Sequence, residues 1–165
     1  MRTVITLATV FGTSGALFGA MGAQSLLPKV TVSHATVVAS ASAVSALPGG
    51  SVTLWADVTP NPSIMIYAAG AKDFTPVSLV LTPNETLNTG KPTYPKAERA
   101  SSPGSADTVP VYRRAFRIAV PATIKATAKS GDVISVGGAV TYQACDDRLC
   151  YPVSSAGVSW QLAVK

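Results

Sequence analysis

An all-β fold, an antiparallel β-sandwich of immunoglobulin-like type, is what this 165-residue chain predicts. Short runs rich in β-branched residues recur along it, Pro and Gly turns separate them, and no adequate stretch beyond the first twenty-odd residues carries helical periodicity. The two cysteines, Cys145 and Cys150, are too close in sequence to bridge two sheets as an immunoglobulin-domain pair does. The core must therefore hold by packing alone, with Trp160 and the Val, Leu and Ile positions as its contributors, and Trp55 only where its own face is covered.

The first element is not part of that fold. Arg2 gives a short basic start, an uncharged apolar run follows, and Ala20, Met21, Gly22 and Ala23 offer small residues for cleavage. Residues 1–23 thus read as a secretory signal peptide. A retained anchor is the rival reading, because residues 4–23 approach the roughly 20 residues that a spanning helix needs. Gly12, Gly15, Gly19 and Gly22 dilute the run, and Gln24 follows at once. Either way the body belongs outside the cytoplasm, where disulfides persist. Residues 24–165 suffice for one domain with its own core.

Residues 29–44, rich in Val, Ser, Thr and Ala, predict one or two early strands, and Pro48-Gly49-Gly50 a turn. Residues 51–58 alternate Val52, Leu54, Ala56 and Val58 against Thr53, Trp55 and Asp57, a strand with one face buried. Pro60-Asn61-Pro62 ends it. Residues 64–67 and 77–81 follow as strands. Residues 83–104, with four prolines, predict a loop unusually long for a compact domain and so a candidate cover for a site. Residues 112–120, 124–128, 133–140 and 158–164 complete the strands.

Charge excludes some functions. Thirteen Lys and Arg against eight Asp and Glu give +5, a mild basicity with scattered cations. Only Arg113, Arg114 and Arg117 cluster. On a strand, Arg113 and Arg117 would share a face and Arg114 take the other, which reads as a solvated surface, and no nucleic-acid partner is expected. His34 is the only histidine, and no serine sits in a nucleophile elbow, so hydrolytic catalysis has little support.

The chemistry concentrates between residues 141 and 152, where both cysteines lie on the connection between two strands. A disulfide closing so short a ring stabilises by only about 2 kcal/mol, less than half of what a long ring gives. As a staple it contributes little, whereas an approachable pair suits thiol–disulfide exchange. Asp146 and Asp147 beside Cys145 oppose its ionisation and Arg148 favours a nearby thiolate, a weak electrostatic lean toward Cys150 as the nucleophile. A soft-metal site would draw on the thiolates with His34, Met65 and Met21, but these are distant in sequence, and neither a metal nor a cofactor is expected. A binding or adhesion module whose disulfide only stiffens a loop is the main alternative.

Tyr142-Gln143-x-Cys145-Asp146-x3-Cys150-Tyr151-Pro152 resembles the active-site segment of the N-terminal periplasmic domain of the DsbD family of thiol:disulfide interchange proteins. Looser similarities lie upstream, at residues 47–54, Ile66-Tyr67, Tyr94-Pro95 and Tyr112-Arg113. The resemblance covers about residues 45–164 and implies an immunoglobulin-like fold and a periplasmic, exported location. It also implies a redox-active Cys145–Cys150 disulfide in which Cys150 attacks partners and Cys145 resolves, a protein-disulfide reductase activity, and a link to cytochrome c biogenesis. The implied partners are thioredoxin-like proteins, with a separate membrane electron-transfer protein supplying what the family's longer members carry in further domains. No stable membrane insertion is expected after signal cleavage. Tyr94 falls where the family carries an aromatic cap over the disulfide, although Pro92 and Thr93 stand where acidic residues commonly precede it. Tyr142, Tyr151 and Tyr67 are the other residues expected to line and shield the sulfurs.

Overall fold

The computed structural model describes residues 28–101, 103 and 107–165. The leader assigned to residues 1–23, and Met21 with it, lies outside the described residues. Among the described residues thirteen strands form three sheets, with no α-helix. The first sheet has the order β1-β2-β4-β10-β7, built from Lys29–Val32, Ala35–Ala41, Ser51–Pro60, Phe116–Ile124 and Leu87–Thr89. The second, β3-β13-β11-β6, is built from Ser45–Ala46, Ser154–Val164, Val133–Tyr142 and Ser78–Leu81. The third, β12-β5-β9-β8, is built from Ala144–Cys145, Met65–Tyr67, Thr108–Tyr112 and Glu98–Ser101.

The first and second sheets are the sandwich, and their alternation is the one the sequence predicts. Val52, Leu54, Ala56 and Val58 of β4 are buried with Ile118, Val120 and Ala122 of β10, against Ile134, Val136 and Val140 of β11 and Val158, Trp160 and Leu162 of β13. Each large apolar side chain so removed from water contributes about 1.5–3 kcal/mol. Trp160 also ties the sheets through its polar end: its Nε1–H donates to the carbonyls of Ser40 at 2.8 Å and Trp55 at 3.1 Å. Trp55 points outward, where the Arg117 guanidinium lies 4.3 Å above its ring. Arg117 reaches the directly opposed Asp57 with two hydrogen bonds, at 2.7 and 2.9 Å.

Three expectations need correction. The described part of residues 83–104 is not an irregular cover: it contains β7 and β8, and Thr93 exchanges backbone hydrogen bonds with Ala119 of β10. Prolines at the edges of these short strands hid them from a reading based on alternation. Arg113 and Arg114 stand in the bend between β9 and β10 and not on a strand with Arg117. Residues 125–128 form a turn beyond β10, closed by the Ala128 N–H on the Lys125 carbonyl.

The third sheet positions the site. All three residues of β5 are buried, because the strand lies between two cores. Ile66 faces the sandwich interior, while Met65 and Tyr67 face a second, smaller cluster with Val109, Val111 and Cys145.

Candidate redox-active disulfide site

The chain leaves the second sheet at Tyr142 and joins the third at Ala144, so Gln143 is the step between them. Cys145 pairs with Met65 of β5 on one side and with Cys150 on the other. The segment between the cysteines is a tight hairpin, held by the Asp146 N–H on the Leu149 carbonyl at 3.0 Å and the Tyr151 N–H on the Ala144 carbonyl at 2.8 Å. Between those bonds the two cysteines face each other with Cα atoms 4.0 Å apart, joined as a disulfide. Their surroundings differ: Cys145 is fully buried, whereas Cys150 is partly open.

Asp146 builds the turn. One carboxylate oxygen accepts from the backbone N–H groups of Arg148 at 2.7 Å and Leu149 at 2.8 Å, and the other accepts from the Tyr151 hydroxyl at 2.6 Å. An aspartate commonly folds a turn this way, satisfying backbone donors two and three residues on. The Tyr151 hydroxyl first, then the Leu149 and Arg148 N–H groups, hold the Asp146 carboxyl down to about 2, against an ordinary 3.8. Because the folded-state value lies below the unfolded one, the stability this clamp adds is complete above about pH 4 and is lost as pH falls toward 2. We therefore expect the amide resonances of Arg148 and Leu149 to move together over that interval, ahead of those of the sandwich strands. Titration of those amides nearer pH 4, in step with exposed carboxylates, would show that the clamp does not hold in solution.

Tyr67 reaches both sulfurs. Its hydroxyl lies 3.0 Å from the Cys145 Sγ and 3.3 Å from the Cys150 Sγ, and since a disulfide sulfur carries no hydrogen, the hydroxyl donates. The ring is buried and stacks at 4.0 Å on Phe74, a residue that the sequence reading did not single out. Phe74 sits in the segment 68–76, which leaves β5 and returns beside it, the Val77 N–H donating to the Tyr67 carbonyl at 2.8 Å. Asp73, at φ 64°, turns the chain so that Phe74 folds back over Tyr67. Gln143 joins this segment to the cysteine hairpin: its side-chain oxygen accepts from the Thr75 N–H at 3.0 Å and its amide donates to the Tyr151 carbonyl at 3.3 Å.

Of the expected shielding residues, the structure brings Tyr67 onto the sulfurs and Tyr151 onto the hairpin. Tyr151 stacks on His34 with ring centres 3.7 Å apart. Tyr94 and Tyr142 go elsewhere, which corrects the expectation for both. Tyr94 packs on the sandwich core, its hydroxyl accepting from the Leu79 N–H at 3.0 Å. It lies with Tyr112 on the face of the third sheet opposite to Tyr67 and the disulfide. Tyr142 is fully buried in the same core, its hydroxyl donates to the Ser33 carbonyl at 2.8 Å, and burial pushes it up to about 12. Phe74, not Tyr94, is the ring stacked on Tyr67 and packed against the cluster that holds Cys145. The Lys-Asp-Phe run at residues 72–74 was the available signal, an acidic residue directly before an aromatic.

Beside the hairpin lies a cavity of about 700 Å³, floored by Ile64 and Met65 and walled by Arg113 on one side and Asp146 and Asp147 on the other. Among the described residues, no group of three or more His, Cys, Asp or Glu is placed to hold a metal ion. His34 is engaged with the Tyr151 ring, and Met65 is paired across the strand with Cys145.

A half-open disulfide at one end of an immunoglobulin-like sandwich, held by a buried tyrosine, defines a candidate thiol–disulfide exchange domain. The family comparison makes this specific. Residues 34–159 match the family model "Thiol:disulfide interchange protein DsbD, N-terminal", and the chain belongs to that family. Among solved structures, the chain is similar to the N-terminal periplasmic domain of ScsB from Proteus mirabilis, with 15% identity and a TM-score of 0.51. That match covers 80% of this chain and 49% of the other, so the chain spans about half the length of that relative. It is also similar to the Neisseria meningitidis DsbD N-terminal domain in the reduced form, with 18% identity, a TM-score of 0.45 and coverage of 71% and 86%. No curated protein matches the sequence at a significant level. The shared fold is the immunoglobulin-like β-sandwich.

Proposed function

We propose that this chain is an extracytoplasmic thiol:disulfide exchange domain that passes electrons between thioredoxin-like proteins and other exported proteins through Cys145 and Cys150. The observation that carries this reading is the asymmetry of the disulfide: Cys150 is partly exposed, Cys145 is fully buried, and the Tyr67 hydroxyl lies within reach of both sulfurs. Membership in the family supports the reaction class. Residues 1–23 act in this reading as an export signal, and the periplasmic location stated for the Proteus mirabilis ScsB domain is proposed here also. Among the described residues no helix is long and apolar enough to cross a membrane.

The chemistry follows from exposure. A partner thiolate attacks the Cys150 sulfur, forming a mixed disulfide and releasing Cys145 as the thiolate. Tyr67 donates to that developing charge, and a charge-assisted bond is stronger than the one made to the neutral disulfide. The partner's second thiol then attacks the mixed disulfide, leaving the partner oxidised and both cysteines here reduced. Run in reverse, the Cys150 thiolate attacks a disulfide substrate and Cys145 resolves the product.

The purified chain freed of residues 1–23 should therefore carry the disulfide, and a thioredoxin-like protein should reduce it without unfolding. Cys145→Ala should accumulate a mixed disulfide through Cys150, because the resolving thiol is gone, and Cys150→Ala should accumulate much less. Equal trapping by the two variants would remove the division of roles. A folded chain that resists thioredoxin and yields only after unfolding would support the alternative, a binding module with a structural loop disulfide.

A further inference from the structure

Arg113 stands beside the cysteine hairpin and takes no part in the exchange steps. It borders the cavity beside the cysteine hairpin and also a second groove of about 370 Å³ on the other side of the β9–β10 bend. Four cations, Lys96, Arg113, Arg114 and Arg117, line that groove, and the stacked rings of Tyr112 and Phe116, 4.0 Å apart, lie under it. Arg117 is held by Asp57, and Arg114, its side chain 89% exposed, is 3.9 Å from Glu98. Lys96 and Arg113 have no acidic partner among the described residues. The opposite wall of the cavity carries Asp146 and Asp147, so the mouth of the site is basic on one side and acidic on the other.

The register sets the distances. Cys145 is paired with Met65, and Tyr112 with the neighbouring Ile66, so Arg113 follows on the row of Met65 and Cys145. Two interstrand spacings, about 10 Å, separate Arg113 from Cys145, and Cys150 lies one spacing further. An extended chain covers about 13 Å in four residues, and the arginine side chain supplies the remaining reach. A guanidinium pairs with a carboxylate through two parallel hydrogen bonds, a geometry suited to recognising one acidic side chain.

Resting on the exchange reading above, we infer that Arg113, with Lys96 behind it, selects partners that carry an acidic side chain three to five residues from the reactive cysteine. The occupant of the groove is an acidic peptide segment of the partner protein. Its carboxylate docks on Arg113 while its cysteine meets the Cys150 sulfur. No bond is made or broken by this contact; it raises the encounter rate and fixes orientation.

The test uses the chain freed of residues 1–23, oxidised, with two acetylated peptide thiols as reductants. Each carries one cysteine and three glycines, followed by two glutamates or by two lysines. Each rate is divided by the same peptide's rate against hydroxyethyl disulfide, which removes differences in thiol reactivity. At low ionic strength the glutamate peptide should reduce Cys145–Cys150 about fivefold faster than the lysine peptide, and the ratio should fall toward one in 0.5 M salt. Arg113→Glu should abolish or invert the preference, while Arg113→Lys should keep its direction. Equal normalised rates, or a faster lysine peptide, would overturn the inference, as would a preference that survives Arg113→Glu. Dithiothreitol, which is neutral, should reduce all three proteins alike. If it cannot reduce the folded wild type, the exchange reading itself fails, an outcome distinct from a flat peptide series on a readily reduced protein.

Discussion

Phe74→Ala should speed reduction of the Cys145–Cys150 disulfide by glutathione about tenfold and leave folding stability nearly unchanged. The ring is half-buried and lies against Tyr67, the residue that holds both sulfurs. Removing it opens one side of the disulfide to a small thiol, and a tenfold change in rate corresponds to about 1.4 kcal/mol of barrier. A ring already partly in water loses much less on truncation than the 3–5 kcal/mol typical of a buried aromatic. Tyr94→Ala is the opposite case. Tyr94 packs on the sandwich core and binds Leu79, so its removal should lower the denaturant midpoint and leave the reduction rate alone. Paired measurements of reduction rate and denaturant midpoint on the two variants decide the matter. An unchanged rate for Phe74→Ala would remove it as the cover, and a raised rate for Tyr94→Ala would restore the position expected from the sequence.

Tyr67 carries the largest expected effects, and its two parts separate them. Tyr67→Ala empties a fully buried aromatic site between β5 and the disulfide and should cost about 3–5 kcal/mol of stability. Tyr67→Phe keeps the ring and removes only the hydroxyl. Stability should then change by about 1 kcal/mol or less, since a net hydrogen bond to a neutral group is worth about that much. The exchange rate should fall about tenfold, because the Cys145 thiolate leaves without its donor and a hydrogen bond to a charged group contributes about 1.5–3 kcal/mol. Denaturant unfolding and thioredoxin kinetics on both variants give the two readouts. A full exchange rate in Tyr67→Phe would show that the hydroxyl has no part in departure of the thiolate.

The sandwich was legible because its strands alternate. Residues 51–58 and 158–164 each bury one face, and the buried residues are the Val, Leu and Trp positions that alternation selects. The third sheet was less legible: its strands are short, and β5 is buried on both faces, which leaves no alternation to read. The cysteines announced themselves by spacing and neighbours, but their surroundings did not. Phe74 reaches Tyr67 through a left-handed turn at Asp73, and no period of two or of 3.6 encodes that approach. Tyr94 misled for a related reason, since a place along the chain does not say which face of a sheet a ring will take. Asp146 stood out as a charge beside a thiol, yet in the fold its carboxylate is committed to three hydrogen bonds and acts first as the architect of the turn.

The hairpin around the cysteines has a kinetic consequence. The bonds between Ala144 and Tyr151 and between Asp146 and Leu149, with the Gln143 bridge, do not depend on the sulfur–sulfur link. Broken, the two thiols remain opposed at close range, so the effective molarity of Cys145 toward anything attached to Cys150 stays high. A covalent complex with a substrate should then be short-lived in the wild type, collapsing before it can be isolated. Reduction and reoxidation also require little rearrangement of the backbone, which lets a single docking surface serve in both oxidation states.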